Sequence, residues 1–247
     1  MRFACAFLLL AVASPALASG VGLRWGSCEG QSNRNFACDK STGSELLVGS
    51  FDAPSGIANL SGMEVILRIT SAGGTVPSWW QMFANGSCRR SSVAASFDMS
   101  DQFECDDVWN GQAGGGLAKW ENDGTGINVG MAAAVPRSAW GPISSGRQYA
   151  AFKLIINHLK SSGPGACGGC ETPMCIKVEM IRLTDPGRLI DANSHKWENK
   201  TWDLTDGITG MGGASQVATW QGGTPNCAAA ASKVSTWSEL KARFKGK

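Results

Sequence analysis

The residues with the most chemical potential lie in an acidic and aromatic segment, Asp98–Trp109. An indole ring can stack on the C–H face of a sugar while carboxylates accept hydrogen bonds from its hydroxyl groups. Clustered carboxylates can also coordinate Ca²⁺ through oxygen. The glycan-binding candidates are Asp106, Asp107 and Trp109, and the calcium candidates are Asp98, Asp101 and Asp106. The simpler alternative is a solvated acidic loop, because charged residues usually lie at the surface.

A pair of adjacent indoles, Trp79 and Trp80, forms the second candidate binding feature. The pair follows Pro77 and precedes Gln81. In an extended chain adjacent side chains face opposite ways, so one indole would pack inward and the other would offer its ring to a ligand. The alternative is that both rings lie under a loop, since tryptophan is highly buried on average.

The chain contains nine cysteines, which indicates disulfide cross-links. Cys5 falls in a predicted export signal, and an even number in an exported chain favours disulfides. Short separations favour Cys28–Cys38, Cys88–Cys105 and Cys170–Cys175, which leaves Cys167–Cys227. Two alternatives remain for the Cys167–Cys175 cluster: a C-x-x-C redox centre, or a zinc site completed by Cys227 or His195.

Motifs that would specify an enzyme are missing from the sequence. It has two histidines, and no nucleophile elbow, zinc-protease motif, phosphate-binding loop or dinucleotide fingerprint. No cofactor is expected. The net charge of +2 is close to neutral and gives no sign of a basic surface for nucleic acid. A non-catalytic role is therefore favoured, and the alternative is a carbohydrate-binding module or a glycoside hydrolase that works with carboxylates.

The N-terminus has the pattern of a cleaved export signal. Met1-Arg2 is followed by the apolar run Phe3–Val12 and then by Ala16-Leu17-Ala18, a small-x-small cleavage motif. Cleavage after Ala18 is predicted. No later segment is long and apolar enough to span a bilayer, so the protein is expected to be secreted or to lie at the cell surface.

The remaining segments alternate with the period of β-strands. In Glu64–Thr70 the side chains of Val65, Leu67 and Ile69 share one face. Ile176 and Val178 are out of phase with Ile181 and Leu183, which predicts a β-bulge near Met180.

Gly, Pro, Asn, Asp and Ser clusters separate the predicted strands, and 122–126 is expected to form a hairpin turn. This pattern predicts an all-β fold: an antiparallel β-sandwich or jelly roll in a single domain, 19–227.

A short helix is expected at the C-terminus. Thr236 and Glu239 have the spacing of a capping box, and Trp237, Leu240 and Phe244 fall on one helical face. We therefore predict that 228–247 forms a flexible arm followed by an amphipathic helix. It would be either a docked terminal helix or a recognition tail for sorting.

Five short motifs resemble those of a group of uncharacterised secreted bacterial proteins, rich in Cys and Trp, that share the closing tail. They are Gly-Ser-Phe (49–51), Pro-Ser-Trp-Trp-Gln (77–81), Cys-x-x-Cys-x-x-Pro-x-Cys (167–175), Ala-Thr-Trp-Gln-Gly-Gly (218–223) and Ser-Thr-Trp-x-x-Leu-Lys (235–241). The resemblance implies a bacterial envelope or extracellular setting and brings no known activity. The expected function is binding or structural, with an extracellular glycan or a cell-surface component as the partner class.

Overall fold

A computed structural model describes residues 20–71, 73–82, 85–102, 104–191, 196–204 and 216–222. These residues form twelve β-strands and two single-turn 3₁₀ segments. The strands are β1 Val21–Trp25, β2 Asn33–Arg34, β3 Ser44–Asp52, β4 Gly62–Ser71, β5 Val93–Ser96, β6 Asp106–Asp107, β7 Gly114–Asn122, β8 Ile127–Ala134, β9 Gln148–Asn157, β10 Met174–Asp191, β11 Lys196–Asp203 and β12 Val217–Trp220. The 3₁₀ segments are Ser78–Trp80 and Arg137–Ala139. The predicted all-β class is confirmed for this part of the chain.

The strands form two sheets. The first has the order β1-β3-β9-β5, with β6 also paired to β9, and the second has the order β2-β12-β10-β4-β8-β7, with β11 also paired to β10. All strand pairs are antiparallel except two short parallel pairs, β2–β12 and β6–β9. Side chains from both sheets belong to one buried hydrophobic cluster, so the two sheets share a core.

Strand β4 shows why the alternating pattern becomes a sheet facing a core. Val65, Leu67 and Ile69 are fully buried in the main cluster. Burying side chains of this size contributes roughly 1.5–3 kcal/mol each to folding. The predicted bulge is also confirmed, because the register between β10 and β4 shifts between Val178 and Met180.

The predicted hairpin joins β7 to β8 and is tied to the neighbouring strand. Arg68 of β4 donates to both carboxylate oxygens of Asp123 in the turn, at 2.7 and 3.0 Å. It also donates to Thr125 and Asn128. Burial raises the pKa of Asp123, but the hydrogen bonds from Arg68 and Thr125 outweigh it and hold the pKa well below its usual range.

The disulfides connect distant parts of the chain, and the predicted pairing is wrong. The bridges are Cys28–Cys105, Cys38–Cys170 and Cys88–Cys167, with sequence separations of 77, 132 and 79 residues. Cys28–Cys38, Cys88–Cys105, Cys170–Cys175 and Cys167–Cys227 therefore do not form. The sheet order sets which cysteines meet, so separation along the chain was a poor guide.

The alternatives for the cysteine cluster are also excluded. Cys167 and Cys170 each bridge to a distant partner, and Cys175 is disulfide-bonded as well. A C-x-x-C redox pair and a zinc site both need free thiols or thiolates there. Disulfides of this kind are typical of an oxidising compartment outside the cytoplasm.

Several expectations concern residues outside the described part of the chain. They are the signal sequence with cleavage after Ala18, the arm and helix of 228–247, His195 and Cys227. Within the described ranges, no helix has the length and apolar character needed to cross a bilayer.

Disulfide mapping tests the cross-links directly. Proteolysis of the unreduced protein followed by mass spectrometry should yield peptides joined through Cys28–Cys105, Cys38–Cys170 and Cys88–Cys167. Counting leaves Cys227 as the expected partner of Cys175 in the predicted mature chain. Recovery of Cys28–Cys38 or Cys88–Cys105 would contradict this connectivity.

The Arg68–Asp123 contact predicts a specific acid sensitivity. Because the pKa of Asp123 is lower in the folded protein than its unfolded value of about 4, its stabilising contribution is present above that value and is lost as the pH falls through the folded pKa. Asp123→Asn should lower the melting temperature at pH 7 and flatten its fall below pH about 4.

The matched control is Asp39→Asn, which makes the same substitution at an exposed aspartate. It should leave the acid slope as in the unmodified protein. Equal acid slopes for the Asp123→Asn variant and the unmodified protein would contradict the role given to Asp123.

Candidate functional site

The paired indoles of Trp79 and Trp80 lie in the core and offer no platform. Both are 0% exposed, and they sit in a 3₁₀ turn, so the argument from an extended chain does not apply. Their rings meet edge to face at 5.2 Å, and both pack on Trp220. The prediction that one of them presents its ring to a ligand is therefore wrong.

Trp109 is also a core residue. It is 2% exposed, and its indole N–H donates to the carbonyl oxygen of Ala151 at 2.8 Å. The ring of Phe97 packs edge-on against it. Its edge forms part of the floor of a cleft, but no ring face is available to stack on a sugar.

The buried guanidinium of Arg89 supports this aromatic cluster. It lies 3.4 Å above the Trp79 ring centroid and donates to the carbonyl oxygens of Trp79, Asn157 and Leu159. Burial lowers its pKa to about 9. Because the guanidinium donates hydrogen bonds to three backbone carbonyl oxygens at once, its role is structural.

The calcium candidates do not converge on one point. Asp98 accepts a hydrogen bond from the Ser100 amide, Asp101 is paired with Lys153 at 2.7 Å, and Asp106 is paired with an arginine. Among the described residues, no group of three or more His, Cys, Asp or Glu side chains is arranged to hold a metal ion. The predicted calcium set is therefore not assembled.

The acidic segment does, however, help to build a cleft. Asp106 and Asp107 form strand β6, which pairs in parallel with Tyr149 and Ala150 at the start of β9. The Cys28–Cys105 bridge anchors the residue just before β6. This pairing places two acids of the segment beside Arg147, which directly precedes β9.

The opposite wall is the loop between β8 and β9. Leu60 bridges to Gly141, with its amide donating to the Gly141 carbonyl at 2.8 Å. The amide of Ala53 donates to the carbonyl of Arg147 at 2.9 Å. Because the middle and the last residue of the loop are bonded to the β3–β4 connection, this wall is fixed in place.

The resulting cleft has a volume of about 260 Å³, a mostly polar accessible surface and a charged rim. Its apolar lining residues include Leu60, Val108, Val135, Pro142, Ile143 and Tyr149. The charged lining residues are Asp106, Asp107 and Arg147, so the lining carries one more negative than positive side chain.

The acids of the rim are held in different ways. Arg147 binds Asp106 with two nitrogens: Nη2 donates to Oδ1 at 2.7 Å, and Nε is paired with Oδ2. The side chains of this pair are 60% and 37% exposed. Asp107 accepts from the amides of Trp109 and Gly111, both at 2.8 Å, and so fixes the turn after β6.

Sequence reasoning missed one whole wall of the cleft. Arg147, Tyr149 and the segment 135–143 were not identified as candidates. The available signal was the long connection between two clear strands, which contains two prolines and the partly exposed Trp140. Long ordered loops fixed on a rigid scaffold often carry binding residues.

Comparisons with known proteins give little further information. No protein-family model matches the chain, and no curated protein matches it. A solved structure of a cohesin module from a family 33 glycoside hydrolase of Clostridium perfringens is similar with a TM-score of 0.31 and 6% identity. The match covers 75% of this chain and 95% of that module. At this TM-score the likeness carries no argument about ligand or partner.

Proposed function

We propose that this chain is an exported, non-catalytic binding protein whose ligand site is the cleft between 106–110 and 135–149. In this proposal the signal is cleaved after Ala18, and the protein acts at the cell surface or outside the cell. A single β-sandwich domain, 19–227, carries the site, and the tail of 228–247 follows it. The disulfides and the shared core of the two sheets support this reading.

The cleft is the observation that carries the proposal. Ligand sites are typically concave and mostly apolar, with a few polar groups that fix orientation. The cleft is concave, and its mostly polar accessible surface combines the Asp106–Arg147 pair at the rim with apolar side chains such as Pro142 and Ile143. Its walls are pinned by backbone hydrogen bonds, so binding would cost little ordering of the protein.

The same geometry favours binding over hydrolysis. A glycoside hydrolase needs one carboxyl group to protonate the leaving oxygen and a second to act as nucleophile or base. In the cleft Asp106 is engaged by Arg147, and Asp107 by two backbone amides. His158 is buried elsewhere against Glu45. The acids of the cleft are therefore better suited to orienting a ligand than to proton transfer.

A cleft-filling variant tests the proposal without knowledge of the ligand. A Cβ added at Gly141 would meet nothing within 4 Å, so Gly141→Phe should fold and occupy the cleft. The matched control is Gly168→Phe, because that exposed position in the disulfide loop is equally open. A thermal-shift screen with neutral sugars, acidic sugars, amines and short peptides provides the readout.

We expect at least one ligand to raise the melting temperature of the unmodified protein and of Gly168→Phe, but not of Gly141→Phe. Ligands that stabilise the Gly141→Phe variant equally would place binding elsewhere and overturn the proposal. Failure of every compound to stabilise the unmodified protein would also count against it.

A further inference from the structure

The rim of the cleft has a donor and an acceptor side by side. Arg147 uses Nε and Nη2 to hold Asp106. Among the described residues no acceptor is paired with Nη1, and the side chain is 60% exposed. A carboxylate oxygen that already accepts one hydrogen bond still has a lone pair for another. The pair therefore offers N–H donors and carboxylate acceptors at one edge of the cleft.

The charge of the lining narrows the class of ligand. Asp106 and Asp107 outnumber Arg147, so an anionic ligand would meet net negative charge. A cation would meet the same net negative charge, but it could use only the carboxylate acceptors of the rim and would leave the remaining Arg147 N–H groups without an acceptor. A neutral ligand with several hydroxyl groups suits this arrangement best.

The apolar lining residues and the volume of the cleft also fit a neutral ligand with several hydroxyl groups. Pro142 and Ile143, which are exposed and partly exposed, offer a small apolar surface to C–H groups. The Tyr149 hydroxyl accepts a hydrogen bond from the Ser144 amide at 3.0 Å, so its own hydrogen remains available to donate. At about 260 Å³ the cleft is just below the range of about 300–1,000 Å³ that is usual for drug-sized ligands, which favours one ring over a longer molecule.

We propose that the cleft binds one ring of a neutral sugar, with two neighbouring hydroxyl groups bridging Arg147 and Asp106. One hydroxyl accepts from Nη1 of Arg147, and the next donates to the Asp106 carboxylate. The ring C–H groups lie on the apolar side chains of Pro142 and Ile143. This inference rests on the proposed function of the cleft and adds the class of ligand.

Conservative variants of the two rim residues test the bridge. Asp106→Asn keeps the shape but weakens the acceptor, and Arg147→Lys keeps the charge but loses the planar fork. Exposed ion pairs contribute little to stability, so both variants should fold. The matched control is Asp101→Asn, which changes a second acid, paired with Lys153 outside the cleft. Far-UV circular dichroism verifies the fold of each variant.

The readout is calorimetric titration with neutral oligosaccharides, their uronic-acid counterparts and amino-sugar oligomers. We expect the unmodified protein and Asp101→Asn to bind a neutral sugar. Each rim variant should bind it roughly tenfold more weakly or worse, about the effect of losing one charge-assisted hydrogen bond. A derivative that lacks one of the two neighbouring hydroxyls should lose binding similarly.

The outcomes separate this inference from the proposed function. If only acidic sugars, amino sugars or peptides bind, and Gly141→Phe abolishes that binding, the sugar assignment is wrong but the cleft remains the site. If neutral sugars bind both rim variants unchanged, the bridge is wrong. If no ligand of any class is sensitive to Gly141→Phe, both proposals fail.

Discussion

The architecture depends on one constraint: a buried indole N–H needs an acceptor. Among the described residues five of the six buried indoles have one, and the exception is Trp80, whose Nε1 has no partner. The indoles of Trp25, Trp79, Trp109, Trp120 and Trp220 donate to Thr219, Ser161, Ala151, Trp80 and Cys170, respectively, over sequence separations of 40 to 194 residues. Four of these acceptors are backbone carbonyls. An unpaired polar group in the interior costs about 1–3 kcal/mol, so these bonds fix loops and strand ends to the core as well as filling it.

Two of the disulfides, Cys38–Cys170 and Cys88–Cys167, reinforce the same region. Cys170 supplies the carbonyl that accepts from Trp220 and is itself bridged to Cys38. The Cys88–Cys167 bridge lies next to the Trp79 turn. The Trp79 amide donates to the carbonyl oxygen of Gly168, which follows Cys167, and the Trp79 ring contacts Arg89, which follows Cys88. Covalent and hydrogen-bonded constraints thus coincide around the aromatic cluster. The cleft lies apart from this cluster, where loops and an exposed ion pair face solvent.

The sequence predicted local periodicity well and long-range contacts poorly. Alternation identified β4, and a phase change located the bulge before Met180. The disulfide pairs failed because they depend on sheet order. The indoles were misread because composition does not distinguish a core ring from an exposed one. The acidic segment was recognised, but the two-residue strand β6 that brings it to Arg147 has no periodicity to detect.

Hydrogen exchange of the indole N–H groups measures whether these hydrogen bonds hold in the folded protein. In a ¹⁵N-labelled sample transferred to D₂O, we expect the indole signals of Trp25, Trp79, Trp109, Trp120 and Trp220 to persist, since all five are buried and hydrogen-bonded. Of the indoles in the described part of the chain, those of the partly exposed Trp140 and Trp202 should exchange first. Rapid loss of all the indole signals from the folded, disulfide-bonded protein would contradict the account.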